Sequence, residues 1–178
     1  NLEPHEKPVV RLSPSAGAGL SFTSHEVYAM QRAMRTLAIG DIHGCLAKLD
    51  DLLAKIAPQT DDTLIFLGDY IDRGEASVEV IDRLFELAST THCIFLRGNH
   101  EDMFLHYLEW GTNRDLFLAN GGDATIRSYT GERSVSLARL ARSLPHDHRV
   151  FYERLRWYHE DAHYIYVHAG LKPGIALK

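Results

Sequence analysis

The side chains of this 178-residue chain that could bind metal ions or transfer protons stand at the ends of four short apolar runs. They are carboxylates, imidazoles and one carboxamide, namely Asp41 and His43, Asp69 and Asp72, Asn99 and His100, and His168. Oxygen and imidazole donors without a thiolate suit Mn²⁺, iron or Zn²⁺. Ligands that come from several strands can hold two such ions roughly 3.5–4 Å apart. The pattern therefore predicts a two-metal centre.

The segments between these side chains alternate between strand and helix patterns. The apolar runs at 36–39, 63–67, 93–96 and 164–167 predict strands, and the first three are each followed by apolar residues at helical spacing. Connections of this length favour parallel strands with right-handed crossovers, and continuous apolar runs favour strands buried on both faces. Because ligands bind at the carboxyl ends of parallel strands, we expect all four runs to deliver their polar residues to one rim.

A simpler interpretation exists for each segment alone. An aspartate after a strand is often only a helix N-cap, and a glycine there is often only a turn. Four such ends in series favour the metal centre. Between 111 and 131 the chain is polar and rich in glycine, which predicts a turn near Asn120 rather than a regular element. Residues 1–33 contain proline, serine and glycine without periodicity and are interpreted as an N-terminal extension.

Composition excludes several classes of protein. Hydrophobic residues make up 45% and charged residues 24%, which is the balance of a globular protein. A net charge of −5 argues against a nucleic-acid partner held by a basic face. No apolar run reaches the roughly 18 residues that span a bilayer, and two cysteines fit a reducing compartment. We expect a cytoplasmic protein with neither a nucleic-acid nor a membrane partner.

Three blocks of the sequence resemble the signature blocks of the calcineurin-like metallophosphoesterases. They are Gly-Asp-Ile-His-Gly at 40–44, Gly-Asp-Tyr-Ile-Asp-Arg-Gly at 68–74 and Leu-Arg-Gly-Asn-His-Glu at 96–101, and His-Ala-Gly at 168–170 resembles the next block. The blocks look most like those of the phosphoprotein phosphatase branch, the bacterial-type serine/threonine protein phosphatases. This resemblance implies an α/β fold, the αββα sandwich, over residues 34–178, with parallel βαβ units that deliver metal ligands at strand ends.

The resemblance also implies a role for each side chain. Asp41 and His43 would bind the first divalent ion, Asp69 would bridge both, and Asn99 and His168 would bind the second. Manganese is the expected metal, with iron or zinc as alternatives.

Three further side chains would act on the substrate. His100 would be the general acid, Asp72 the carboxylate that orients it, and Arg73 a phosphate contact shared with Asn99. A histidine held by a carboxylate can supply a proton to a poor leaving group, and the planar guanidinium can grip phosphate oxygens.

The implied activity is hydrolysis of phosphoserine and phosphothreonine monoesters in a protein or peptide, through a hydroxide activated by two metal ions. Arg73 and Glu101 look closer to the protein-phosphatase branch. A symmetrical diadenosine polyphosphate hydrolase or another metallophosphoesterase is the alternative, and a non-catalytic phosphate-binding module is a further one.

Two features of the family pattern are missing after His168. The family has another metal-binding histidine and a second phosphate-binding arginine beyond this block, together with more strands. We therefore expect the domain at 34–178 to be incomplete at its C-terminal side and its second metal site to be weak.

One motif points to different chemistry. His159, Glu160 and His163 match the zinc-protease pattern, in which two histidines four residues apart share a helix face. Because the second histidine runs directly into a predicted strand, we do not expect a zinc-protease site there.

Overall fold

The computed structural model describes residues 34–176, so the extension predicted at 1–33 lies outside the described residues, and its boundary stays a prediction. Three strands form a parallel sheet in the order β1-β2-β3, and they are β1 (Thr36–Ile39), β2 (Thr63–Phe66) and β3 (His92–Phe95). Ile39 pairs with Phe66, and Phe66 with Phe95, so the three carboxyl ends lie level. The predicted parallel arrangement is confirmed for these strands.

Each of these strands is followed by a helix, as the periodicity predicts. The helices are α1 (Leu46–Ile56), α2 (Ser77–Ala88) and α3 (Asn99–Trp110). Four shorter helices follow, namely α4 (Arg114–Ala119), α5 (Gly122–Thr130), α6 (Leu137–Ser143) and α7 (His146–Arg154). The sequence did not indicate α4 and α5. Both start from a left-handed residue, Asn113 or Gly121, and are stabilised by burial of Phe117 and Ile126.

The fourth predicted strand forms, but not where it was expected. β5 (Ile165–Val167) pairs antiparallel with β4 (Tyr158–Glu160) in a separate two-stranded sheet. The link between them is too short for a parallel crossover, whereas an antiparallel pair needs only a turn. Asp161 closes that turn by accepting hydrogen bonds from the backbone N–H groups of His163 and Tyr164 at 2.8 Å.

The same turn separates the two histidines of the zinc-protease motif. His159 lies in β4 and His163 lies in the turn, so no helix carries both imidazoles. This agrees with the expectation that the motif is not a protease site.

The parallel sheet is covered on both faces. Leu64 and Phe66 of β2 pack into the main core beneath the helices, and Ile65 packs with Ile94 and with Tyr166 of β5 on the opposite face. Only β2 is buried over most of its length, from Leu64 to Phe66. The prediction of burial on both faces is wrong for β1 and β3, because they are the edges of a narrow sheet. Among the described residues, no helix is long and apolar enough to cross a membrane.

Candidate active site

The loops after β1 and β2 hold four of the predicted site residues in left-handed backbone. The φ angles are +47° at His43, +56° at Asp69, +70° at Asp72 and +67° at Arg73. Such conformations disfavour residues with a Cβ and persist where surrounding contacts enforce them. Here the backbone N–H of His43 donates to the Asp69 carbonyl at 2.9 Å, and that of Gly44 to the Tyr70 carbonyl at 2.7 Å. Hydrogen bonds between the two loops thus hold the strained conformations in place.

Glycines allow these loops to approach each other closely. A Cβ at Gly74 would lie 2.2 Å from the carbonyl oxygen of His43, and one at Gly98 would lie 2.1 Å from Oδ1 of Asp69. Neither distance is compatible with a side chain. Gly74 and Gly98 are therefore required, Gly74 by packing of backbone against backbone and Gly98 by its contact with the Asp69 carboxylate.

Two imidazoles direct their Nε2 atoms toward the centre. His43 Nδ1 lies 2.9 Å from the Ile71 carbonyl, and His168 Nδ1 lies 3.1 Å from the Leu67 carbonyl. A carbonyl oxygen only accepts, so each Nδ1 carries a proton, and in the neutral form of each imidazole Nε2 keeps a lone pair. His43 Nε2 is buried and has no hydrogen-bond partner. A buried nitrogen with a free lone pair is the arrangement of a metal-binding histidine.

Asp69 lies between the two imidazoles. Its Oδ2 is 3.6 Å from His43 Nε2, and its Oδ1 is 3.4 Å from His168 Nε2. His168 Nε2 is also 3.0 Å from Asn99 Oδ1. With a neutral His168 imidazole, three electron-rich atoms converge on this side of Asp69, and a cation would relieve their repulsion. The donor set fits one ion on each side of Asp69.

The carboxylates and imidazoles form two possible ligand triads. One contains His43, Asp69 and His100, and the other contains Asp41, Asp69 and His168, with the ligand atoms of each within 4.8 Å of one another. Asp41 also lies 3.8 Å from His43 Nε2, so its position is compatible with the first ion as well. The structure thus brings together all five residues predicted as metal ligands. Which ion each one binds stays a prediction.

His100 and Asp72 form a buried pair beside this cluster. His100 Nδ1 lies 2.7 Å from Asp72 Oδ2. Burial raises the pKa of Asp72, and hydrogen bonds from His100 and Thr125 partly offset that. Burial acts to lower the pKa of His100, but the hydrogen bond to Asp72 and the charges of Asp69 and Asp72 outweigh it and raise the pKa. The net result is a pKa of His100 above its ordinary value, although the charge of Arg73 acts to lower it.

Thr125 holds the carboxylate of this pair, and the sequence did not single it out. Its hydroxyl donates to Asp72 Oδ1 at 2.6 Å and accepts from the Asp72 backbone N–H at 2.9 Å. Thr125 is fully buried in α5, a helix that the sequence did not indicate. No local signal connects Thr125 with Asp72, because their contact depends on tertiary packing.

Arg73 is exposed and reaches the centre through its side chain. Its Nη2 lies 3.1 Å from His100 Nε2. A guanidinium can only donate, so this contact is a hydrogen bond only while His100 Nε2 carries no proton. A protonated His100 would repel Arg73 from this position, and a bound phosphate would attract its guanidinium.

Glu101 binds the backbone of the loop that carries Asp69. Its carboxylate is fully buried and accepts hydrogen bonds from the backbone N–H groups of Asp69 at 2.9 Å, Tyr70 at 2.8 Å and Gly98 at 3.0 Å. Burial and the charge of Asp69 raise the pKa of Glu101 to about 7, although these three N–H groups act in the opposite direction. Glu101 therefore ties the loop that carries Asp69 to the start of α3.

Residues 34–176 match the model of the family described as calcineurin-like phosphoesterase. A bis(5'-nucleosyl)-tetraphosphatase PrpE (asymmetrical) of Oceanobacillus iheyensis is 28% identical over 78% of this chain and 57% of its own length. A symmetrical bis(5'-nucleosyl)-tetraphosphatase of Pseudomonas fluorescens strain SBW25 is 30% identical over 82% of this chain and 46% of its own length. A crystal structure provisionally described as a diadenosine tetraphosphatase is 28% identical and covers 80% of this chain and 53% of its own, with a TM-score of 0.55.

These similarities correct one prediction from the sequence. The expected activity was a phosphoprotein phosphatase acting on phosphoserine and phosphothreonine, but the similar proteins are named as tetraphosphatases of dinucleosides. The blocks that suggested the protein-phosphatase branch contain the residues predicted as metal ligands and as a phosphate contact, and residues of these types can serve any phosphate ester. The chain spans about half the length of the curated relatives it matches.

Proposed function

Because the chain belongs to the calcineurin-like phosphoesterase family, we propose that it is a metal-dependent hydrolase of dinucleoside polyphosphates. The observation that carries the proposal is the pair of imidazole lone pairs, on His43 and His168, that face opposite oxygens of Asp69. The names of the similar tetraphosphatases support the substrate class.

Calcineurin-like phosphoesterases use two divalent metal ions, and the residues here fit such a pair. We assign Asp41, His43 and Asp69 to the first ion and Asp69, Asn99 and His168 to the second. When bound, the ions supply positive charge for the phosphate oxygens and lower the pKa of bound water. Manganese, iron and zinc all accept this set of oxygen and nitrogen donors.

Residues of the chain itself bind and protonate the substrate. Hydrolysis breaks one P–O–P bridge, the oxygen of water joins one phosphorus, and the bridging oxygen leaves with the other nucleotide. Arg73 is exposed at the rim and can pair with phosphate oxygens through its planar fork. His100, held by Asp72 at 2.7 Å, can donate a proton to the departing oxygen.

The test compares substrates in one assay. The purified chain is incubated with Mn²⁺ and either diadenosine tetraphosphate or a phosphoserine peptide, and the products are separated by anion exchange. We expect turnover of the dinucleotide, its loss on chelation, and its loss in Asp69→Asn. Two molecules of ADP would indicate symmetrical cleavage, and AMP with ATP asymmetrical cleavage.

Glu160→Gln is the matched control. It also removes one carboxylate charge, but Glu160 is exposed in β4 and belongs to the zinc-protease motif that the fold does not support. We expect its activity to match the wild type. Faster turnover of the phosphopeptide than of the dinucleotide would contradict the proposal, and so would loss of activity in Glu160→Gln with retention in Asp69→Asn. Absence of any turnover would favour a phosphate-binding module.

A further inference from the structure

A cavity of about 350 Å³ opens beside the candidate metal centre. Its lining includes two proposed metal ligands, Asn99 and His168, and the apolar side chains of Trp157, Val167 and Leu171. Small-molecule sites in proteins start at about 300 Å³ and combine apolar walls with a few polar groups. A group bound in this cavity would therefore be adjacent to a phosphate held at the centre.

The aromatic wall of the cavity is Trp157, which contacts Arg97. Trp157 lies between α7 and β4 and is 61% exposed. The guanidinium of Arg97 lies 4.8 Å from the centroid of its ring, which is the distance of a cation–π contact. Arg97 is itself held, because its Nη1 lies 3.6 Å from Asp102 and its Nη2 donates to the Tyr152 carbonyl at 3.3 Å. The indole is thus supported by a cation and still widely exposed.

We infer that this cavity binds one nucleoside of the substrate, with the base stacked on Trp157. The inference rests on the proposed function, since a dinucleoside polyphosphate must place a base near the phosphates being cleaved. Every base has a π-face, and an exposed indole stacks with it irrespective of base identity. Arg97 is paired with Asp102 and therefore acts as a support for the ring rather than as a phosphate ligand.

Binding can be measured without turnover, because the chain has only two tryptophans. Trp110→Phe leaves Trp157 as the sole indole, and Trp157→Phe leaves Trp110, which is 64% exposed at the end of α3. Each variant is titrated with AMP in the presence of Mg²⁺, with excitation where adenine does not absorb. Ribose 5-phosphate serves as the ligand without a base. We expect saturable quenching by AMP in Trp110→Phe, and none in Trp157→Phe or with ribose 5-phosphate.

Kinetics provide the second arm. Loss of one base–aromatic stack in Trp157→Ala is expected to raise KM for diadenosine tetraphosphate roughly tenfold with little change in kcat. Trp157→Phe keeps a ring and should stay near the wild-type KM. Trp110→Ala removes an equally exposed indole away from the cavity and should leave both constants unchanged.

The two arms separate the subsite from the proposed function. If the dinucleotide is cleaved but AMP does not quench Trp157, or KM is unchanged in Trp157→Ala, the subsite is refuted and the function stands. If AMP quenches Trp157 but the dinucleotide is not cleaved, the subsite stands and the proposed function fails.

Discussion

Replacement of Glu101 by glutamine tests how the centre is held together. The Oε2 atom of Glu101 accepts from the backbone N–H groups of Asp69 and Gly98, and Oε1 accepts from that of Tyr70. A glutamine must place its NH₂ group at one of these two positions. At either position the side-chain NH₂ group would face the backbone N–H groups that the carboxylate oxygen had accepted from. Those buried N–H groups would then have no acceptor.

The expected cost follows from the number of groups left unpaired. A buried N–H without a partner costs about 1–3 kcal/mol, so Glu101→Gln should lower the free energy of unfolding by about 2–6 kcal/mol if the amide replaces Oε2. If the amide replaces Oε1, the Tyr70 N–H at 2.8 Å and the Ile71 N–H at 3.4 Å lose their acceptor. The expected decrease in the free energy of unfolding is then similar. This is a large part of the roughly 5–15 kcal/mol that stabilises a typical domain.

Urea denaturation followed by circular dichroism measures the effect, at a pH above 7 where the Glu101 carboxylate is ionised. Asp102→Asn is the control, because it makes the same chemical change one residue further along α3. The Asp102 side chain is 35% exposed and its ion pair with Arg97 spans 3.6 Å, so the cost should stay within about 1 kcal/mol. Equal unfolding free energies for Glu101→Gln and the wild type would refute the role of Glu101 as the acceptor that holds the Asp69 loop.

Two other substitutions test the geometry of the centre. Gly98→Ala would place a Cβ 2.1 Å from Asp69 Oδ1 and should abolish metal-dependent hydrolysis. Gly40→Ala is the control and should keep the activity, because a Cβ there meets nothing within 4 Å. Similar activity in the two variants would contradict the packing argument. Thr125→Val removes the hydroxyl that contacts Asp72 and should destabilise the fold by about 1–3 kcal/mol. It should also lower kcat more than it raises KM, and unchanged stability and kcat would show that this hydroxyl does not support the pair with the histidine.

Residues close in the sequence were predicted well, because short-range periodicity and loop composition are local properties. The three βα units over 36–110 follow from apolar runs and helical spacing, and the structure contains all three. The glycine-bracketed blocks at their strand ends also indicated the candidate ligands, which the structure gathers in one cluster. The family is confirmed by the match over residues 34–176.

Contacts between distant residues were not predictable in this way. The contact of Thr125 with Asp72 joins residues 53 positions apart, and the antiparallel pairing of β5 depends on a turn whose hydrogen bonds only the folded chain shows. His168 reaches the centre even though β5 is outside the parallel sheet, because its ring is held by the Leu67 carbonyl. The sequence also favoured a protein phosphatase, whereas the similar proteins are named tetraphosphatases, because the same types of metal and phosphate ligands suit many phosphate esters.

The sequence alone determined which atoms could bind metal and which strands would carry them. Ligand chemistry depends on the type of each side chain, and strand formation depends on the local spacing of apolar residues. The tertiary structure decided how those atoms are presented. Asp69 and Asp72 take left-handed backbone only because neighbouring loops enforce it, and the Glu101 carboxylate receives its three backbone partners only when β2 and α3 meet. The cavity lined by Trp157 and His168 likewise forms only when β4 and β5 pair. Strand pairing brings together residues that no local pattern connects.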